Sequence, residues 1–161
     1  MAATYREIVP ELTRGDFENL LSFRNGLRRF LHWSQTQARQ VGLTPAQHQL
    51  LVAVKGHPEA SHPTISDLAG YLMLRHHSVV ELVDRAVSAG LVVRQADPRD
   101  GRVTRILLTP DGEERLSQLA AAHLNELRNL APMLDQLVEE WEAHTATPGS
   151  PGRGAAKDPK R

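Results

Sequence analysis

Three observations predict a mainly α fold with one small β-hairpin. Apolar residues recur at three- and four-residue spacing near both ends of the chain. Two short segments of the same periodicity sit side by side in the middle. Directly after them, two β-branched runs flank a connector that contains Pro and Gly. The 161 residues fit one domain with short appendages, which excludes a TIM barrel or a two-domain dehydrogenase. A hydrophobic share of 40% and a charged share of 24% are those of a soluble globular protein. No apolar run approaches the roughly 18 residues that span a bilayer, and the N-terminus lacks a basic-then-apolar leader, so the expected location is cytoplasmic. The chain has no cysteine, hence no disulfide, thiolate metal site or thiol redox chemistry.

The first helix is expected from about Asp16 to Gln40, with Leu20, Phe23, Leu27 and Phe30 on its apolar face and Ser34 and Gln37 as polar interruptions. Gly42 stops it. Thr44-Pro45 then starts a second helix by the cap-then-proline rule, carrying Leu50, Leu51 and Val54 to a stop near Gly56. Residues 57–63 read as a polar loop. Beyond the hairpin, Leu116, Ala120, His123, Leu127, Leu130, Leu134, Leu137 and Trp141 form an apolar seam too long for one small domain to use alone, so a partner helix and dimerisation through the two ends are expected. Pro132 removes a backbone donor from that seam, which predicts two helices or a sharp kink. The expected organisation is an N-terminal extension (1–15) and a folded domain (16–144) followed by a disordered basic tail (145–161). Within the domain, a core of about 44–109 lies between dimerisation helices of about 16–41 and 110–144.

In the middle, Thr64 with Asp67 reads as a capping box opening a short helix whose face is Ile65, Leu68, Ala69 and Leu72. After a turn at Met73-Leu74, a second helix buries Val79, Leu82, Val83 and Ala86 and leaves Arg75, His76, His77, Ser78 and Glu81 outward near its start. Gly90 ends it, with Leu91 as the apolar partner of the stop. Two short helices joined by a tight turn outline a helix-turn-helix, in which the N-terminal residues of the second helix meet base edges. Leu91–Gln95 and Val103–Leu108, separated by Asp-Pro-Arg-Asp-Gly-Arg, then make the hairpin a wing. Its tip holds two Asp-x-Arg units in which the carboxylate can hold the guanidinium. Arg99 suits the negative potential of a narrow minor groove, and Arg102 suits a staple at the strand base. In the plainer reading, both pairs only staple the hairpin.

Net charge is zero, which by itself argues against a nucleic-acid partner. The distribution reverses that argument: residues 71–109 carry +2, with six arginines as their only cations, and the tail carries +3, while residues 110–144 carry −6. Arginine is the side chain suited to bidentate recognition of phosphate and guanine.

The strings L-T-P-A-Q-H-Q-L-L (43–51), I-S-D-L-A (65–69), S-V-V-E-L-V-D-R (78–85), A-G-L-V (89–92), D-P-R-D-G-R (97–102) and L-T-P-D-G (108–112) occur in an order that resembles the MarR family of winged helix-turn-helix transcriptional regulators. The resemblance covers roughly residues 17–143. It implies a two-fold dimer built from the first and last helices, binding to palindromic double-stranded DNA, repression of nearby genes, and release by a small, often anionic aromatic effector. It also implies that Asp97 orients Arg99 in the minor groove, that Asp100 and Arg102 form a more structural pair, and that Ser78 touches phosphate. The family often has Ser at the position of Arg75, Thr near Val80 and a basic or polar residue near Glu81, so Arg75, His76 and His77 look specific to this chain's operator.

Other chemistry finds little support. Adjacent His76 and His77 point in different directions on a helix, and no His-x-x-x-His spacing supplies a metal set; His32, His48, His57 and His62 could meet only through the fold. No phosphate loop, nucleophile elbow or His-Glu-x-x-His motif occurs, so neither an enzyme nor a cofactor is expected. For an effector, Trp33, Gln37 and His48 are the candidate pocket residues. The plainer reading makes Trp33 core packing and leaves His48 partly exposed. The alternative function is a dimeric ligand- or partner-binding protein whose winged helix does not bind DNA.

Overall fold

The computed structural model describes residues 12–59 and 61–146. The expected N-terminal extension up to residue 11 and the expected basic tail from residue 147 lie outside them. Five helices and one hairpin follow in order: α1 (Arg14–Gln40), α2 (Pro45–Lys55), α3 (Ile65–Leu72), α4 (His76–Ser88), β1 (Val92–Ala96), β2 (Thr104–Leu108) and α5 (Pro110–Ala146). Among the described residues, two compact units emerge: residues 27–129, and the chain ends 12–26 with 130–146. No described helix is long and apolar enough to cross a membrane.

The central unit is assembled from well-capped short helices. Thr44 and Gln47 exchange side-chain-to-backbone bonds at the start of α2, and Thr64 and Asp67 do the same at α3. Accepting the Thr64 amide and hydroxyl holds the Asp67 carboxyl below its ordinary pKa. Helix α4 ends in a paired-bond stop: Leu91 N–H reaches Ala86 O and Gly90 N–H reaches Val87 O, with Gly90 at φ 72°. The stop after α3 has the same bonds, from Leu74 to Ala69 and from Met73 to Gly70, but its left-handed residue is Met73, at φ 51°. These ends aim Leu68, Val79, Val83, Leu91, Val92 and Ile106 into one core with Leu43, Leu50 and Leu51. Strands β1 and β2 pair antiparallel from Val92 opposite Leu108 to Ala96 opposite Thr104.

The Leu-Thr-x-x-Gly string gains a physical reason here. Thr109 sends its amide to Leu91 O and its hydroxyl to Gly90 O, and accepts the Gly112 amide at the first turn of α5. A Cβ on Gly112 would lie 2.1 Å from the Leu91 carbonyl oxygen, so that close approach admits only glycine.

At the chain ends, α1 starts two residues earlier than expected because Thr13 and Asp16 cap it reciprocally. Gly26 lets α5 approach closely: a Cβ there would meet Met133 at 2.8 Å and Leu130 at 3.1 Å. Asn19 also donates to Glu140. Of the two outcomes expected at Pro132, the split into two helices is corrected, because α5 continues through it as one helix. Proline costs one interior hydrogen bond, and the packing of Leu130 and Met133 on either side of it holds both turns against α1.

Candidate nucleic-acid interface

Helix α4 presents the polar end that the sequence suggested. Arg75 is the N-cap residue in extended backbone and makes no side-chain cap bond. Arg75, His76, His77 and Glu81 are exposed and Ser78 is half-buried, while Val79, Leu82, Val83 and Ala86 hold the opposite face in the core. Asp84 on α4 accepts from Arg94 on β1 at 2.7 Å, which ties this helix to the hairpin that follows it.

The wing differs in wiring from the sequence expectation. Asp97 does not hold the Arg99 guanidinium. Its Oδ1 accepts the backbone amides of Arg99 (2.7 Å) and Asp100 (3.2 Å), and its Oδ2 accepts Arg105 Nε at 2.7 Å. The reason is geometric: an Asp at the start of a tight turn lies closest to the amides two and three residues on. The Arg99 amide, then the Arg105 contact and the Asp100 amide, hold the Asp97 carboxyl below its ordinary pKa. Arg99 is exposed and its guanidinium has no partner among the described residues. The second pair forms as expected, though loosely, with Arg102 Nε 3.4 Å from Asp100. His62, Asp97, Arg99 and Arg105 line a cleft of about 770 Å³ between the wing and Glu59, Ser61 and His62.

Sequence reasoning missed Arg105. Its alternation in β2 was visible, but the carbonyl of His62 that takes its Nη1 at 2.8 Å lies 43 residues away.

The candidate effector residues separate. Trp33 packs against His123 with ring centroids 4.9 Å apart and against Phe30 at 6.1 Å. His48 packs against His123 as well, with ring centroids 4.7 Å apart and the rings tilted by 51°, and is buried, so the expectation that it is partly exposed is corrected. His123 Nδ1 faces Leu119 O at 2.8 Å and must carry the proton, so Nε2 accepts from the buried Ser34 hydroxyl at 2.7 Å. Burial, then the neighbouring His123, lowers the His48 pKa. A cavity of about 180 Å³ beside this cluster is lined by His48, Ser34, Gln35 and Gln49, and by neither Trp33 nor the half-buried Gln37. The signal for His123 was a lone polar residue on an apolar seam. Among the described residues, no three His, Asp or Glu side chains converge as a metal group.

Residues 41–103 match the MarR family. The chain is 28% identical over 123 residues to the uncharacterized HTH-type transcriptional regulator YsmB of Bacillus subtilis, covering 74% of this chain and 82% of that one. The fold is similar to that of AbsC, a MarR family transcriptional regulator from Streptomyces coelicolor, with a TM-score of 0.63 and 23% identity over 84% of this chain and 93% of that one. It is likewise similar to MepR of Staphylococcus aureus in a crystal structure of a MepR–DNA complex, with a TM-score of 0.60, 20% identity, and coverage of 83% and 93%. With the capped helix pair, the hairpin after it and the Leu-Thr-x-x-Gly junction in place, the chain has the winged-helix fold of these regulators, and its central segment matches the MarR family.

Proposed function

We propose that this protein is a DNA-binding transcriptional regulator, not an enzyme, that acts as a homodimeric repressor on a palindromic operator and is released by a small aromatic or anionic effector. The observation that carries the reading is the pairing of two exposed basic elements on one scaffold. The uncapped, polar N-terminal turn of α4 is tied through Asp84 and Arg94 to a hairpin whose tip offers an unpaired Arg99. Arg75, His76, His77, Ser78 and Glu81 enter the major groove, and Arg99 enters the flanking minor groove. Asp97 fixes the backbone of the wing tip, and Arg102 lies beside it with Asp100. MepR, whose fold this chain shares, has been crystallised with DNA.

Dimerisation rests on the chain ends, where Leu134 stays exposed and Leu12, Phe17, Leu20, Val138 and Trp141, also exposed, flank an open groove of about 460 Å³. A second copy of the chain supplies the missing cover and sets two recognition helices about one DNA turn apart, roughly 10 base pairs. The effector site combines the cavity at His48 and Ser34 with Trp33 as the reporting ring and Gln37 on the same helix.

Fluorescence anisotropy with the DNA upstream of the protein's own gene tests the reading. Wild type binds, and Arg99→Ala weakens binding and lowers the salt slope by about 0.9, the value for one lost phosphate neutralisation. Unchanged affinity and slope in Arg99→Ala would refute the wing assignment. Absence of DNA binding by wild type would favour a ligand- or partner-binding protein instead. Quenching of Trp33 by phenolic acids, absent in His48→Ala, tests the effector site.

A further inference from the structure

We infer that Arg105 is a positioning residue for DNA binding: it locks the wing tip to the loop between α2 and α3 and so sets where Arg99 is presented. The inference rests on the DNA-binding reading above and deepens it.

A two-stranded hairpin is marginal on its own, so the place of its tip depends on what anchors it. Here the anchor is one chain of bonds. Asp97 fixes the tip backbone through the amides of Arg99 and Asp100, and its other oxygen takes Arg105 Nε. The same guanidinium sends Nη1 to His62 O at 2.8 Å, so one planar group spans tip and loop. The stretch that carries His62 is itself held, because the neighbouring Pro63 carbonyl accepts the Ile106 amide at 2.9 Å.

Shielding separates this pair from the neighbouring one. The Arg105 and Asp97 side chains are 21% and 9% exposed, against 94% and 51% for Arg102 and Asp100. An exposed pair contributes little, whereas a shielded one with both partners satisfied fixes geometry. The arrangement therefore assigns the holding role to Arg105 and leaves Arg99 free to meet DNA.

A double-mutant cycle on operator affinity decides. Wild-type binding is measured first, because its absence removes the functional reading and this inference together. Arg105→Gln alone is expected to weaken binding about tenfold, but to cost less than about twofold in an Arg99→Ala background, the non-additivity of residues in one network. Asp97→Asn, which keeps an oxygen for the Arg99 amide and loses the charge pair, should couple to Arg99 in the same way. Urea unfolding of each variant confirms a folded chain, so that Asp97→Asn carries the test if Arg105→Gln unfolds. A tenfold loss from Arg105→Gln that persists without Arg99 would overturn the inference, since Arg105 would then act on DNA or on the fold directly. No loss in either background would overturn it too, while leaving the DNA-binding reading intact.

Discussion

The winged-helix segment and the paired chain ends are made of the same kind of amphipathic helix, yet they finish differently. In the winged helix, Leu50, Leu51, Leu68, Val79 and Ile106 are fully buried by elements of the same chain. At the chain ends, Phe17, Leu20, Leu21, Leu134 and Val138 stay largely exposed along α1 and α5. Burying one such side chain stabilises by about 1.5–3 kcal/mol, which the first region already has and the second lacks within one chain. The contrast teaches that the winged helix closes its own core, while the ends leave an apolar face that the proposed second copy would cover.

The largest effects test that contrast directly. Leu51→Ala is expected to destabilise the protein by about 2–5 kcal/mol at any protein concentration, the cost of a cavity in a closed core. Leu134→Ala should change the urea midpoint little at concentrations where the chain is monomeric, and should raise the concentration needed for self-association in sedimentation. If Leu134→Ala were as costly as Leu51→Ala in the monomer, the ends would have a closed core of their own and the comparison would break.

Next in size is Gly112→Ala. It drives a methyl toward the Leu91 carbonyl oxygen, 2.1 Å from the ideal Cβ position. Overpacking of this kind costs about 1–3 kcal/mol. Because this junction joins the α4 stop to the start of α5, the loss should appear in urea unfolding without any dependence on dimerisation. An unchanged midpoint would show that α5 can shift away from Leu91 freely.

What the sequence disclosed follows the same divide, between local and distant contacts. Both capping boxes, the Gly90 stop and the hairpin were legible because each is a contract among residues a few positions apart. The Leu-Thr-x-x-Gly string was recognisable as a pattern, but its reason is the approach of Gly112 to a carbonyl 21 residues earlier. Asp97 was expected to serve the Arg99 guanidinium, and the nearby amides and Arg105 claim it instead. His123 and Ser34, 89 residues apart, meet only because α1 and α5 pass each other. Pro132 belongs to the same divide: a local rule allowed the helix to split there, and packing of Leu130 and Met133 against the helix opposite keeps it as one.

A smaller effect probes the interior of the central unit. His48 is buried, and its pKa lies below the ordinary value of 6.5. The unfolded chain therefore takes up this proton before the folded chain does. The contribution of neutral His48 is complete above about pH 6.5 and declines as pH falls from there toward the lowered native value. Urea midpoints between pH 7.5 and 5.5 should drop more steeply for wild type than for His48→Gln. Parallel profiles would show that His48 reaches solvent in the folded state.

The smallest expected change is a gain. Met73 closes the turn between α3 and α4 in the left-handed region, at φ 51°, and its side chain is 92% exposed. A left-handed non-glycine residue costs about 1–2 kcal/mol, and glycine would remove that strain. Glycine also loses more freedom on folding, about 0.5–1 kcal/mol. The difference leaves Met73→Gly more stable than wild type by about 0.5 kcal/mol, since the exposed methionine gives up almost no buried area. The gain should be the same at all protein concentrations, because the turn belongs to the region that closes its own core. If Met73→Gly lowered the urea midpoint, the methionine side chain would be holding the helix pair by contacts that its exposure does not suggest.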